Sequence, residues 1–300
     1  MKVSYLIGVY NKVNYISDCI VSILKEETAE IEIEICIVDD GSTDGSFNLI
    51  YEKFHFNPKI KIYKFDKNLG KNAAYNKAYE MSTGELICIF GADDIVVPSR
   101  TSKMVYSFQK NNKAVYGGLI IKNEDLSREY SRKIPTLPSY YEISMFNFLS
   151  GGAGLIPRVL CKDFFPIPEN LKFEDWWVSY FLIKNNSVVI LNDYVTVYRV
   201  GLDNDCATSG EVFDRYFKGI ERDLSRHFEY IEEFMKKDNN SYLLKSLDIR
   251  NVFFGKNPKS ILYKELDKYT LMIIFMHFFG PKSFFRIFYM VKSLRKFFKV

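Results

Sequence analysis

The stretch IVDDGSTDGS, Ile37 to Ser46, ends an apolar run in two adjacent carboxylates and then crosses a turn of Gly, Ser, Thr and Asp. Before it, IEICIV (Ile33–Val38) has the β-branched composition of a buried strand, and after it Phe47 to Phe54 has helical spacing. Strand, glycine turn and helix in that order make half of a βαβ unit. The order recurs: VSYLIGVY (Val3–Tyr10), KIKIYKF (Lys59–Phe65), ELICIFGADD (Glu85–Asp94) and AVYGGLIIK (Ala114–Lys122) are further short apolar runs. Between them Tyr15–Leu24 places Ile16, Ile20, Ile23 and Leu24 on one helical face, Ala73–Met81 repeats the pattern, and Pro98 suits the start of a helix over Ser99–Asn111. Strands alternating with helices predict an α/β fold with a mostly parallel sheet.

Three hundred residues, 47% of them hydrophobic and 16% aromatic, suffice for a packed core. A net charge of +4 is too weak to point to nucleic acid, and no such partner is expected. Cys19, Cys36, Cys88, Cys161 and Cys206 are odd in number and lack C-x-x-C spacing, so they read as small buried hydrophobes of a reducing compartment. The apolar N-terminal stretch, about seven residues, is too short for the core of a secretion signal. The expected location is cytoplasmic.

Strands this apolar are buried on both faces, and such sheets bind ligands beyond their carboxyl ends. Polar residues collect there. Val9-Tyr10-Asn11 closes the first strand, Asp39 to Gly45 the second, Asn68-Leu69-Gly70-Lys71 follows the third, and Asp93-Asp94 ends the fourth. No G-x-G-x-x-G follows the first strand and no G-x-x-x-x-G-K-[ST] occurs, which argues against dinucleotide and P-loop sites.

The ordered series VYN, VDDGSTDGS, NLGKNAAYN, GADD and FEDWW resembles the inverting family 2 glycosyltransferases of the bacterial surface-polysaccharide type, from Val3 to about Arg199. The resemblance implies the GT-A fold, a Rossmann-like nucleotide-binding sheet, and a nucleotide-diphosphate sugar donor, with a UDP-sugar expected. It implies that Gly8, Val9 and Tyr10 line the base and that Asp40 accepts the imide N–H of uracil. From the residues alone Asp39 or Asp40 serves equally as a helix cap, and Asp44 is the better candidate for one. Where the family carries an Arg, Tyr75 stands here. Lys71, one turn earlier, is either a cation for the donor's phosphates or a solvated lysine at a helix start. Arg199 remains available to the phosphates, while Gly201 stands where the family often has a His and Asp203 is an alternative late ligand.

Breaking the anomeric bond of such a donor concentrates charge on the departing diphosphate, so a hard cation on one or two carboxylates lowers the barrier. Mn²⁺ or Mg²⁺ is the expected cofactor. The resemblance places Gly91 at the first acid of the family's D-x-D and Asp93 at the second, the metal ligand. Asp94 is expected to compensate for Gly91, although an Asp before Pro98 also suits a cap.

FEDWWVSYFLIKNN, from Phe173, has helical spacing with Trp177, Phe181 and Leu182 on an apolar face. Acids in a first turn complement the helix dipole. The resemblance further implies that Asp175 is the base that deprotonates the acceptor hydroxyl, that Glu174 orients the acceptor or its loop, and that Trp176 stacks on a sugar. A core position for Trp176 is the alternative. Ser150 to Gly154 permits close backbone approach beside Asp175, or is a plain flexible connection.

After about Gly210 the resemblance ends. Glu211–Lys237 reads as a charged helix. Leu271–Phe279 is an apolar run well short of the ~20 residues that span a membrane. The last twenty residues hold six Lys/Arg and no acid, interleaved with aromatics, which suits a helix in an anionic membrane interface or one docked on the domain with a solvated basic face. The expected organisation is a catalytic domain over 1–205 and a helical region over 206–300. The expected partners are the nucleotide sugar, a glycan or lipid-linked glycan acceptor, and peripheral contact with the inner face of the cell membrane. A sugar nucleotidyltransferase would need a Gly-rich loop with Arg and Lys after the first strand, where Tyr10-Asn11-Lys12 stands. A sugar-nucleotide-binding protein that has lost catalysis is the other alternative, with Gly91, Tyr75 and Gly201 as its departures.

Overall fold

The computed structural model describes residues 1–143, 147–169, 171, 173–200, 214, 217–219, 221, 241–257 and 268–297. The apolar runs are strands β1 (Lys2–Val9), β2 (Glu32–Asp39), β3 (Ile60–Lys64), β4 (Leu86–Gly91) and β6 (Ala114–Asn123), joined by helices α1 (Ile16–Leu24), α2 (Ser46–Phe54), α3 (Lys71–Met81) and α4 (Arg100–Asn111). β3, β2, β1 and β4 pair in parallel, in that order, with Gly8 opposite both Val38 and Gly91. Their carboxyl ends therefore share one edge.

The rest of the sheet comes from segments whose sequence carries little strand signal. β5 (Ile95–Val96), β7 (Glu129–Lys133), β8 (Gly154–Pro157) and β9 (Val188–Val200) complete nine strands in the order β3-β2-β1-β4-β8-β6-β9-β5, with β7 on β6. β8 runs antiparallel to both β4 and β6, and β9 runs parallel to β6. The glycine segment is a 3₁₀ turn, Gly151–Ala153, that leads straight into β8, and a Cβ on Gly151 would lie 3.4 Å from Asp175 Cβ, the close approach beside Asp175. A Cβ on Gly154 would meet the Tyr116 ring at 2.9 Å, so the glycine lets β8 lie close on β6. Ile16, Cys19, Ile20 and Ile23 of α1 pack into a core with Val3, Tyr5 and Ile7 of β1 and Ile33, Ile35 and Ile37 of β2. Arg100 is buried there, its guanidinium 5.0 Å from the Phe90 ring centroid and donating to Gly154 O at 3.0 Å, which fixes the glycine turn to β4.

Single-turn helices α5 (Tyr140–Ile143) and α6 (Arg158–Cys161) precede α7 (Glu174–Lys184). Then come α8 (Ser241–Phe253), α9 (Lys268–Phe279) and α10 (Pro281–Phe297). Two compact units result, residues 1–143 with 147–204, and residues 144–146 with 205–300. Cys19, Cys36, Cys88 and Cys161 are buried free thiols, as expected, and Cys206 lies outside the described residues.

Candidate active site

The acids of the opening motif divide their work at the strand edge. Asp44 accepts from Ser46 N at 2.9 Å and Ser46 Oγ at 2.6 Å, and its other oxygen from Val13 N at 3.0 Å, so it secures the start of α2 and the loop after β1 together. Asp39 Oδ1 accepts from Ser42 N at 3.0 Å. Asp40 is neither a cap nor an open acceptor. Its two oxygens take the backbone N–H groups of Leu69 (2.7 Å) and Gly70 (3.0 Å), which holds the β3–α3 loop over the end of β2. Burial raises its pKa above the ordinary carboxylate value against the pull of those bonds. An imide N–H can use only the lone pairs they leave. Gly41, at φ +70°, makes the approach possible, since a Cβ there would stand 2.6 Å from the Lys67 carbonyl carbon. Gly8 packs under α3 and Val9 is buried, while Tyr10 is 46% exposed on the edge, open to a flat ligand.

At the end of β4 the acid that the resemblance leaves missing is replaced in space by its neighbour. A Cβ on Gly91 would lie 2.8 Å from Asp94 Oδ2 and 3.2 Å from Asp93 Oδ1. Asp94 is only 4% exposed, and its Oδ1 accepts the N–H of Arg199 at 3.1 Å. Burial, and then the charge of Asp93, raise its pKa well above the ordinary value. Buried and bonded to the Arg199 N–H, Asp94 braces the end of β4 against β9. Introducing the acid by Gly91→Asp should therefore lower stability by about 1–3 kcal/mol, the cost of overpacking, without tightening Mn²⁺ binding; thermal unfolding and metal titration check both.

Arg199 is anchored within the protein. Its Nε donates to Asp93 O at 2.8 Å and its Nη1 to Glu124 O at 2.5 Å, so it ties β9 to the Asp93 turn. Gly201 and Asp203 lie outside the described residues. Asp93 is the carboxylate left toward the cleft, and Lys12 Nζ sits on it at 2.7 Å. No group of three or more His, Cys, Asp or Glu among the described residues is disposed to hold a metal unaided. The arrangement fits a hard cation that draws most of its oxygens from a diphosphate and one from Asp93, with an ammonium already resting on the same carboxylate.

α7 supplies the second acidic pair. Asp175 lies against a cavity of about 170 Å³ that Gly117, Lys133, Asn147, Ser150 and Ala153 also line. Burial, then the charge of Glu174, push its pKa up to about 7, against the pull of Lys71, the Trp176 N–H and Asn147. Lys71, expected near the donor phosphates, instead pairs with Glu174 Oε2 at 2.7 Å, a bridge from the first residue of α3 to the first of α7. Trp176 is 1% exposed and donates Nε1–H to Ile143 O at 2.6 Å. Its ring is core and stacks on no sugar, because α7 is buried nearly all round.

Tyr75 is the site residue that sequence reasoning passed over, having treated it only as a missing arginine. It is 8% exposed, and its pKa is raised by burial and then by Glu174, Asp93, Asp94 and Asp175. A Cβ on Gly151 would lie 3.4 Å from Asp175 Cβ and one on Gly152 3.3 Å from Asp94 Oδ2, so the β4 and α7 acids flank one glycine turn. Lys12 was equally overlooked. Its sequence signal was its position directly after Asn11 at a strand end.

This edge can hold a flat base, a diphosphate and a nucleophilic hydroxyl. The chain is 27% identical over 253 residues to an uncharacterized glycosyltransferase of Nostoc sp. (strain PCC 7120), an alignment covering 78% of this chain and 76% of that protein. Among solved structures, S. aureus TarS 1-349 in complex with UDP-GlcNAc superposes with a TM-score of 0.56 at 18% identity, over 91% of this chain and 78% of that one. The mannosyltransferase PcManGT of Pyrobaculum calidifontis, in complex with GDP-Man and Mn²⁺, gives 0.53 at 16% identity, over 74% and 63%. Both share the GT-A arrangement of sheet and helices. The family described as glycosyl transferase family 2 matches residues 4–159, every strand and turn from β1 through β8, and with more than half of its residues inside that match the chain belongs to glycosyl transferase family 2.

Proposed function

We propose that this enzyme transfers a sugar, with inversion, from a UDP-sugar to a hydroxyl of a glycan, with residues 1–205 as its catalytic domain and 206–300 as a helical region. The observation that carries the reading is Asp175, a carboxyl with a pKa near neutrality at the wall of a cavity, flanking one glycine turn with the acid at the end of β4. Tyr10 receives the base at the sheet edge, and Asp40 with the Leu69–Gly70 backbone forms the wall beside it. UDP-GlcNAc in the TarS complex supports the choice of nucleotide. Asp93 and Lys12 face the diphosphate.

A divalent cation, Mn²⁺ or Mg²⁺, bound through Asp93 and the phosphates, would neutralise charge on the leaving diphosphate, and the Mn²⁺ of the PcManGT complex supports it. The acceptor hydroxyl enters the cavity beside Asp175 and gives up its proton to that carboxylate as the new glycosidic bond forms. Lys71 pairs with Glu174 and so fixes the start of α7 beside the acid that exchanges the proton. The acceptor is a glycan, lipid-linked where the protein works at the inner face of the cell membrane.

A base must be deprotonated to act. With the Asp175 pKa at about 7, kcat/KM should rise with pH through that value and level above it, and the rise should vanish in Asp175→Asn. A panel of UDP- and GDP-sugars, each screened for thermal stabilisation with Mn²⁺ or with EDTA, tests the reading as a whole. The expected result is a rise in Tm with a UDP-sugar, larger with metal. Indifference to every nucleotide would overturn it.

A further inference from the structure

Between Lys268 and Lys282 the chain contains no Asp, Glu, Lys or Arg, so α9 beyond its first residue is apolar except at Tyr269, Thr270 and the exposed His277. A helix of that kind belongs inside a core or against lipid. The fold provides only half of the first environment. Thr270, Met272, Ile273 and Met276 are buried, while Leu271, Ile274 and Phe278, at spacing i, i+3, i+7, form an exposed face, with Phe278 74% exposed. At the tip Phe279 is 66% exposed, and Gly280, at φ +82°, turns the chain into α10. The same character continues along α10, where Ile287, Phe288 and Met290 are exposed. Aromatic contacts link the two helices into one surface: Phe275 lies 4.8 Å from Phe279 and 5.8 Å from Phe284, and Phe284 lies 6.2 Å from Phe288. Contiguous exposed apolar surface of this kind marks an interaction site.

The charge of the segment says what covers it. Residues 268–300 hold seven Lys/Arg and no acid, so the protein's net charge of +4 is carried entirely there. A second copy docking on this face would set positive against positive. An anionic bilayer offers both acyl chains for the rings and phosphates for the cations. Twelve residues of α9 reach about 18 Å, well below the ~30 Å of a hydrocarbon core, and no helix among the described residues is long and apolar enough to cross a membrane. The helix can lie in the interface.

We propose that the α9–α10 hairpin is a membrane-insertion surface, in which Leu271, Ile274, Phe278, Phe279, Ile287 and Phe288 enter the boundary between headgroups and acyl chains of an anionic bilayer. The hairpin, and not the basic C-terminal stretch alone, carries the attachment.

The test uses the full chain and vesicles of phosphatidylcholine with and without phosphatidylglycerol. The protein should float with the anionic vesicles and much less with the neutral ones. Phe278→Ser with Phe279→Ser alters two exposed side chains, so unfolding should be unchanged while the partition coefficient falls about tenfold or more. In Phe278→Trp, brominated acyl chains should quench the introduced indole once vesicles are added. Absence of binding, binding without quenching, or equal binding by the double variant would each overturn the proposal. So would concentration-dependent dimerisation, free of vesicles, that the double variant abolishes, since the face would then belong to a second copy. None of these readouts needs turnover, so a failure of the donor-site reading leaves them intact.

Discussion

Asp175→Asn should lower turnover about 10²-fold or more while leaving the dissociation constant of the nucleotide donor nearly unchanged. The amide keeps the shape of the side chain, and its oxygen can still accept the Trp176 N–H that Asp175 Oδ1 now takes at 2.8 Å. It cannot take a proton from the acceptor, and removal of a positioned general base typically costs 10²–10⁴-fold. In the proposed reading the donor is held elsewhere, at the ends of β1, β2 and β4. Turnover with saturating donor, together with calorimetric UDP binding, separates the two effects. A parallel loss of donor affinity would make Asp175 a structural residue of the α7 start instead.

Asp93→Asn should give the opposite signature. Turnover falls about 10²-fold or more, because several kcal/mol of charge stabilisation on the leaving diphosphate pass through that carboxylate, and the Mn²⁺-dependent part of UDP affinity falls with it. The Lys12 pair at 2.7 Å loses its anion as well, so the variant has a free ammonium in the cleft. UDP affinity measured in EDTA should therefore be equal to or higher than that of the unaltered protein. Full turnover of the unaltered protein in EDTA would remove the cation from the account.

The parts of the fold legible in the sequence are those whose signal is local. β1, β2, β3, β4 and β6 announce themselves as β-branched apolar runs, and their helices lie within a residue or two of the spans their spacing predicts. β7, EYSRK, is exposed at every position and offers no apolar pattern, and β8 is four residues hidden behind three glycines. Their pairing is decided by long-range contacts that one sequence does not carry.

The site divides along the same line. That Asp93 ends β4 and Asp175 opens α7 followed from their places in motifs. The partner each side chain chooses did not. Lys71 and Glu174 are far apart in the chain, and only the fold brings the starts of α3 and α7 within reach of each other. Two adjacent tryptophans look alike in FEDWW, and both donate to backbone oxygens, Trp176 to Ile143 O at the end of α5 and Trp177 to Phe164 O, which places each in the core. Asp94 is set by a residue that is absent: without a side chain at Gly91 its carboxyl folds into the vacant space and is buried.

Asp175 as the base of a direct displacement requires inversion, since the acceptor oxygen must attack the face opposite the diphosphate. The most direct measurement follows the anomeric proton by NMR while the enzyme consumes an α-linked UDP-sugar, with the acceptor or with water in its place. The β-anomer should appear first, and Asp175→Asn should abolish its formation. First appearance of the α-anomer would contradict a single displacement and the role given to Asp175.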